Sequence, residues 1–346
     1  MPHVLSRHRN QLALSLITVA LFAAPLVARA QEAAETDAPS ASEDVSAPAP
    51  AFAPLPSTVQ IETLPGTLLL GSTRASTERG DRTDKYRLFT LKQGQLAQLH
   101  VPDEALGSTS AALAPDGKRL LLNAGGQVVY LVDLTGATPP QQLGDRLPPL
   151  AFGQTDAYVS VAWSQDGSQA IVVRPYPKGM ALVSLNDQKS TPLPIVAQLP
   201  NFSPDGKQVA LAFTAPGKGM ASIYTAPVGQ LDAVSKVSAS SDYETDPQWL
   251  PDGSGIVYVA AGDQWQIRKV AAGDTSTVVL AQAPAGFVIS DLAVAPGSAW
   301  IAYTLQSTSD GHRSVHISST SDPSVGLDLP QDRPWNDRVL GWVQAS

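Results

Sequence analysis

The chain has 346 residues, 43% hydrophobic and 16% charged, with a formal net charge of −8 and no cysteine. An acidic balance argues against nucleic acid and anionic membrane surfaces as partners. The lack of cysteine excludes disulfides and thiolate chemistry, so an exported form would be held together by burial.

At the N-terminus, Arg7, His8 and Arg9 precede an apolar run from Leu12 to Val27, and Ala28-Arg29-Ala30 offers a small-x-small cleavage site. This pattern predicts a secretory signal peptide over 1–30, cleaved after Ala30, and a periplasmic destination. The run is short for a membrane helix, which needs about 20 apolar residues. An uncleaved anchor is therefore the weaker alternative, and no integral span is expected after cleavage. Loss of the leader's three arginines takes the net charge to −11. Residues 31–57 are mostly Ala, Pro and Ser, with five acidic and no basic residues. Such a segment buries too little apolar surface to offset the entropy of ordering, which predicts a disordered linker.

The remaining residues, 58–346, read as a repeat. Val59-Gln-Ile-Glu62 is expected as an extra or outer strand. Leu64-Pro65-Gly66 then reads as a turn, followed by strands at Thr67–Leu70, Tyr86–Leu91 and Leu96–Leu99. A related turn recurs at Leu113-Ala-Pro-Asp-Gly117, Trp163-Ser-Gln-Asp-Gly167, Phe202-Ser-Pro-Asp-Gly206 and Trp249-Leu-Pro-Asp-Gly253, and in degraded form at Val294-Ala-Pro-Gly297. Successive closing glycines are 50, 39, 47 and 44 residues apart. In Ser203-Pro-Asp-Gly206, serine suits the first turn position, proline presets φ at the second, and glycine takes the left-handed site. Each turn leads into an apolar, β-branched run such as Val209–Phe213 or Ile256–Val259, then a third and a weaker fourth strand. Four strands in each unit of roughly 40–50 residues indicate propeller blades.

The C-terminal Arg338-Val-Leu-Gly-Trp-Val343 carries a tryptophan like those before two of the turns. It is expected to supply the inner strand of the first blade, closing the ring and removing exposed edges. The fold expected is all-β: a six-bladed β-propeller of four-stranded antiparallel blades, closed by pairing of the N- and C-terminal segments.

These residues resemble the TolB-like propeller repeats of bacterial envelope proteins, whose pattern is roughly Asp-Pro-x-Trp-Ser-Pro-Asp-Gly-Lys before an apolar strand. Asp246-Pro-Gln-Trp-Leu-Pro-Asp-Gly253 matches best, followed by Phe202-Ser-Pro-Asp-Gly-Lys207 and Trp163-Ser-Gln-Asp-Gly167. The resemblance covers most of 58–346 through short motifs. It extends to the propeller part, without the α/β domain that precedes it in TolB. It implies a non-enzymatic role in contact with another envelope protein or a peptide. The matching residues are turn residues, so the resemblance carries over no contact residues.

Candidate chemistry is sparse. Asp116, Asp166, Asp205 and Asp252 are read as turn residues that bond nearby backbone, and no Asp-x-Asp-x-Asp-Gly calcium loop accompanies them. His312 and His316 have a spacing that would suit zinc on a helix, but they fall in a strand-and-turn context with no third ligand in view. There is no Gly-x-Ser-x-Gly elbow and no phosphate-cradling loop. The reading therefore leans away from an enzyme, with no catalytic, metal or cofactor-binding residue assigned and no cofactor expected. One alternative is a small-molecule enzyme or sensor, with or without a metal in the central channel. Another is a regulatory subunit of a separate hydrolase. Most tryptophans are expected in the core. Trp335, expected in a loop, is the candidate for exposure. The stretch from Arg74 to Arg87 has a local basic surplus, so Arg79, Arg82, Lys85 and Arg87, with Trp335, are the candidate partner contacts.

Overall fold

The computed structural model describes residues 59–74, 87–99, 101, 110–124, 128–143, 160–174, 179–322, 324–329 and 335–344. The expected leader and linker lie outside the described residues. Every described residue belongs to one compact unit within Ala53–Ser346.

Among the described residues, twenty-four strands follow in chain order. They begin with β1 (Thr67–Arg74), β2 (Arg87–Lys92) and β3 (Gln95–Leu99). Next come β4 (Ser110–Leu113), β5 (Arg119–Ala124), β6 (Val128–Asp133) and β7 (Gln141–Leu143), then β8 (Val161–Trp163), β9 (Gln169–Arg174), β10 (Gly179–Ser184) and β11 (Ser190–Pro192). The next four are β12 (Gln198–Phe202), β13 (Gln208–Phe213), β14 (Ser222–Pro227) and β15 (Ser235–Lys236). They are followed by β16 (Tyr243–Trp249), β17 (Gly255–Ala261), β18 (Trp265–Ala271) and β19 (Thr277–Gln282). The last are β20 (Phe287–Val294), β21 (Trp300–Ser307), β22 (Arg313–Ser319), β23 (Gly326–Asp328) and β24 (Trp335–Val343).

They form six four-stranded antiparallel sheets, the blades of a six-bladed β-propeller. Blade 1 has the order β24-β1-β2-β3, and blades 2 to 6 each use four consecutive strands. The innermost strands β24, β4, β8, β12, β16 and β20 contact one another in cyclic order, which defines the ring. β24 pairs with β1 along its length, from Thr67 opposite Val343 to Arg74 opposite Trp335. The chain's last strand thus closes its first blade, as the sequence leads one to expect.

Each hydrophobic cluster sits between two successive blades. Leu68 and Leu70 of β1 pack with Val315, Ile317 and Leu327 of blade 6. Leu69, between them, packs with Leu113, Leu120 and Leu122 of blade 2. Four further clusters fill the other seams. Strand side chains alternate between faces, and both faces of a blade are covered. That is why runs such as Leu120–Leu122 are continuously apolar instead of alternating.

The aspartates act in their turns. Asp205 accepts from the Lys207 N–H at 3.1 Å and from the Ser203 hydroxyl at 2.7 Å, and Gly206 closes the turn at φ +69°. Asp166 repeats this with the Ser168 N–H and the Ser164 hydroxyl. The Ser164 hydrogen bond is the main influence holding the Asp166 carboxyl below its ordinary range.

Three local expectations need correction. Val59–Glu62 is not a strand; Ile61–Thr63 forms a 3-10 turn, in which both the N–H and the hydroxyl of Thr63 donate to Gln60 O. The inner edge of β1 is already taken by β24, so that segment has no sheet edge to join there. In the degraded turn at Val294–Gly297, Ser298 holds the closing left-handed position at φ 64°, one residue after Gly297. The Ser298 N–H bonds Ala295 O just as the Gly253 N–H bonds Leu250 O. Trp335 is the first residue of β24 rather than a loop residue.

Trp342 fastens the closure. It is 8% exposed, packs in the cluster between blades 6 and 1, and donates from Nε1 to Pro65 O at 2.7 Å. Trp342→Ala should cost about 3 kcal/mol or more in urea denaturation, the range for truncating a buried large side chain. Trp265→Ala, at the half-buried start of β18, should cost clearly less.

Candidate functional site

A cluster of polar residues arises at irregularities in the innermost strands. In β12, β16 and β20 the register with the second strand slips between Gln198 and Asn201, Thr245 and Gln248, and Ser290 and Ala293. The residues at these bulges, Leu199, Asp246 and Asp291, have φ of 49°, 52° and 55°. A bulge leaves backbone groups out of the ladder and re-aims neighbouring side chains. Pro200 and Pro247 follow the first two left-handed residues and have no N–H to satisfy. Leu292 follows the third, and its N–H crosses the seam to Asp246 Oδ2.

A chain of side chains then runs through four blades. Asn201 of blade 4 accepts from the Trp249 N–H at 2.8 Å and donates to Gln248 Oε1 at 3.0 Å. Gln248 Nε2 donates to Asp246 Oδ1 at 3.2 Å. Asp246 receives Leu292 from blade 6, where Asp291 pairs with Arg338 of β24 in blade 1. The Ser290 hydroxyl donates to the other Asp291 oxygen at 3.0 Å. Nearby seams use the same device: the Leu199 N–H donates to Ser160 Oγ, and the Val339 N–H to Thr304 Oγ1. The Leu199, Leu292 and Val339 donors therefore each end on a side chain of the adjoining blade.

Asp246 is 7% exposed. Burial pushes its carboxyl up to about 7; the Leu292 N–H opposes this, the neighbouring Asp291 charge adds to it, and Gln248 and Arg338 oppose it. The site can thus exchange a proton near neutrality while its hydrogen bonds tie blades 5 and 6 together. Among the described residues, no three His, Cys, Asp or Glu side chains converge as metal ligands would.

The sequence-derived candidates fall elsewhere. Arg87 begins β2, half-buried, opposite Ser72. Arg79, Arg82 and Lys85 lie outside the described residues. The backbone of Trp335 is opposite that of Arg74, so both ends of the 74–87 connection and the start of β24 meet at one end of blade 1. That end is opposite the one bearing the closing turns. His312 is exposed in the turn before β22, whereas His316 is buried within the strand. Sequence reasoning missed Asp246, Asp291 and Arg338. The Asp246-Pro247 pair lies within the repeat motif, but the bulge it encodes depends on a register slip that no local pattern displays.

No protein-family model matches the sequence, and no curated protein matches it. Solved structures do resemble it. TolB from Acinetobacter baumannii superimposes with a TM-score of 0.60 at 14% identity, over 79% of this chain and 67% of that one. The fold is a TolB-like six-bladed β-propeller. A putative TolB from Agrobacterium tumefaciens gives 0.54 at 14% identity, over 80% and 98% of the two chains. A chain of a nidogen/laminin complex gives 0.56 at 12% identity, over 80% and 97%. At such identities the likeness to TolB and nidogen/laminin is one of fold. No helix among the described residues is long and apolar enough to cross a membrane.

The raised Asp246 carboxyl predicts a pH dependence of stability. Its folded value, about 7, exceeds the ordinary 3.8, so the folded state holds the proton more tightly. The resulting stabilisation is complete below the unfolded value and is lost as pH rises through the folded one. Relative to Asp246→Asn, the wild-type unfolding free energy should fall by up to roughly 4 kcal/mol between pH 4 and 8. Chemical denaturation across that range checks it. A wild-type-minus-variant difference that stays flat with pH would contradict the assignment.

Proposed function

We propose that this chain is an exported propeller, delivered to the periplasm, that serves as a binding scaffold for another envelope protein or a peptide. The proposed contact is the end of blade 1 where Arg74, Arg87 and Trp335 meet. The observation that carries this reading is the β24–β1 register. It joins a tryptophan and a basic connection some 250 residues apart in sequence at one end of the ring. In a chain of net charge −8, a local basic surplus gives an acidic partner a favourable approach and orientation. The likeness to TolB and to a propeller seen in a complex with another protein supports the same reading.

A photo-crosslinking residue at Trp335 in intact cells, with one at Asp205 in a turn at the other end, tests it. The account expects a discrete crosslinked partner from position 335 and not from 205. Replacing Arg79, Arg82, Lys85 and Arg87 with serine should weaken that product several-fold. Equal products from both ends, or no effect of the four substitutions, would sink the docking proposal.

A further inference from the structure

One side-chain cluster has no part in the docking reading. His316 lies on β22, the third strand of blade 6, opposite Tyr303 of β21 and Asp328 of β23. Its Nδ1 contacts Asp328 Oδ1. The Ser314 hydroxyl, two residues back on the same strand face, is 2.9 Å from His316 Nε2. The Tyr303 ring stacks on the imidazole, with centroids 5.7 Å apart and planes at 21°. His316 is 4% exposed, while Ser314 is half-buried toward the start of the strand.

The chemistry of the three groups fixes their roles. The Asp328 carboxylate lying against Nδ1 electrostatically favours the neutral tautomer with hydrogen on that nitrogen, which leaves Nε2 to present its lone pair. Ser314 then donates to that lone pair. This is the order of nucleophile, base and orienting carboxylate by which a serine hydroxyl is activated. The Asp328 charge also reaches the stacked ring, because it adds to the burial that raises the Tyr303 phenol.

The repeat supplies an internal control. By register, the position of His316 is held in the other blades by Phe89, Tyr130, Ala181, Tyr224 and Arg268. The blade seam is satisfied by such side chains, so packing does not require an imidazole there, still less one with a hydroxyl and a carboxylate at its two nitrogens.

We infer that Ser314, His316 and Asp328 form a site at which Ser314 accepts an acyl group from a small activated carboxylic ester. In that step Ser314 Oγ bonds to the carbonyl carbon and its proton passes to His316 Nε2. The ester C–O bond breaks and the leaving oxygen takes the proton, giving O-acyl-Ser314 and an alcohol. Asp328 is a positioning residue that fixes the ring's tautomer.

The probe is a fluorophosphonate, which reacts in the same sense: an Oγ–P bond forms, the P–F bond breaks, and fluoride leaves with the proton relayed through His316. Incubating the full chain with it, followed by intact mass and peptide mapping, should give one adduct on Ser314, absent from Ser314→Ala. Asp328→Asn should fold with an unchanged melting temperature yet label at least tenfold more slowly, because the amide favours the tautomer with hydrogen on Nε2. Nitrogen-15 NMR of the ring should show that exchange, and Asp328→Glu should restore labelling. No adduct on Ser314 in folded protein would overturn the inference. So would equal labelling rates in wild type and Asp328→Asn.

Discussion

The pairing of β24 with β1 is the constraint on which the rest of this structure depends. It joins residues as far apart as Pro65 and Trp342, separated by 277 positions. The entropy cost of closing so long a loop grows slowly with its length. The return is large because the blades lack an outer face of the usual kind. Leu68 and Leu70 are covered by blade 6 and Leu69 by blade 2, so each strand belongs to two cores at once. Without β24, blade 6 would expose Val315 and Ile317, and blade 1 would lose its inner edge. Stability is shared around the ring, and no blade holds a complete core by itself.

A second device fastens the seams near the axis. The bulges at Leu199, Asp246 and Asp291 place non-glycine residues in the left-handed region, which carries a steric cost. In exchange, backbone donors released from one sheet are caught by the next, as with Leu199 on Ser160 and Leu292 on Asp246. The Trp249 and Val339 donors are caught in the same way, on Asn201 and Thr304. Asp246, Asp291 and Arg338 look like a cluster awaiting a ligand when read as residue types. Their hydrogen bonds show them holding blades 5, 6 and 1 together.

What the sequence made legible follows from where each signal resides. Turns with glycine at the left-handed site, as at Gly206 and Gly253, are local and chemically specific, so blade number and closure could be read directly. The turn at Val294–Gly297 reads one residue off because a serine, Ser298, takes the position that glycine usually marks. The bulges were invisible because their left-handed residues are leucine and aspartate. The polar seam was invisible for another reason: its partners, such as Asn201 and Gln248, lie 47 residues apart and meet through ring geometry. His316 was read against His312 by spacing. On a strand its relevant neighbours are Ser314 on the same face and Asp328 across the sheet, and the latter pairing is not a sequence pattern. Pro334 and Asp332 before it suggest a loop at Trp335, whereas β24 begins there opposite Arg74.

The central claim is that the ring holds as one cooperative body through its closing strand. Native-state hydrogen exchange measures this most directly, by comparing Leu68–Leu70 of β1 with Val209–Leu211 of β13, deep in blade 4. The account predicts that both groups exchange through the same opening, with equal free energies and equal sensitivity to denaturant. If the β1 amides exchanged through a low-energy local opening while those of β13 stayed protected, β24 would be an accessory strand and the account would be wrong.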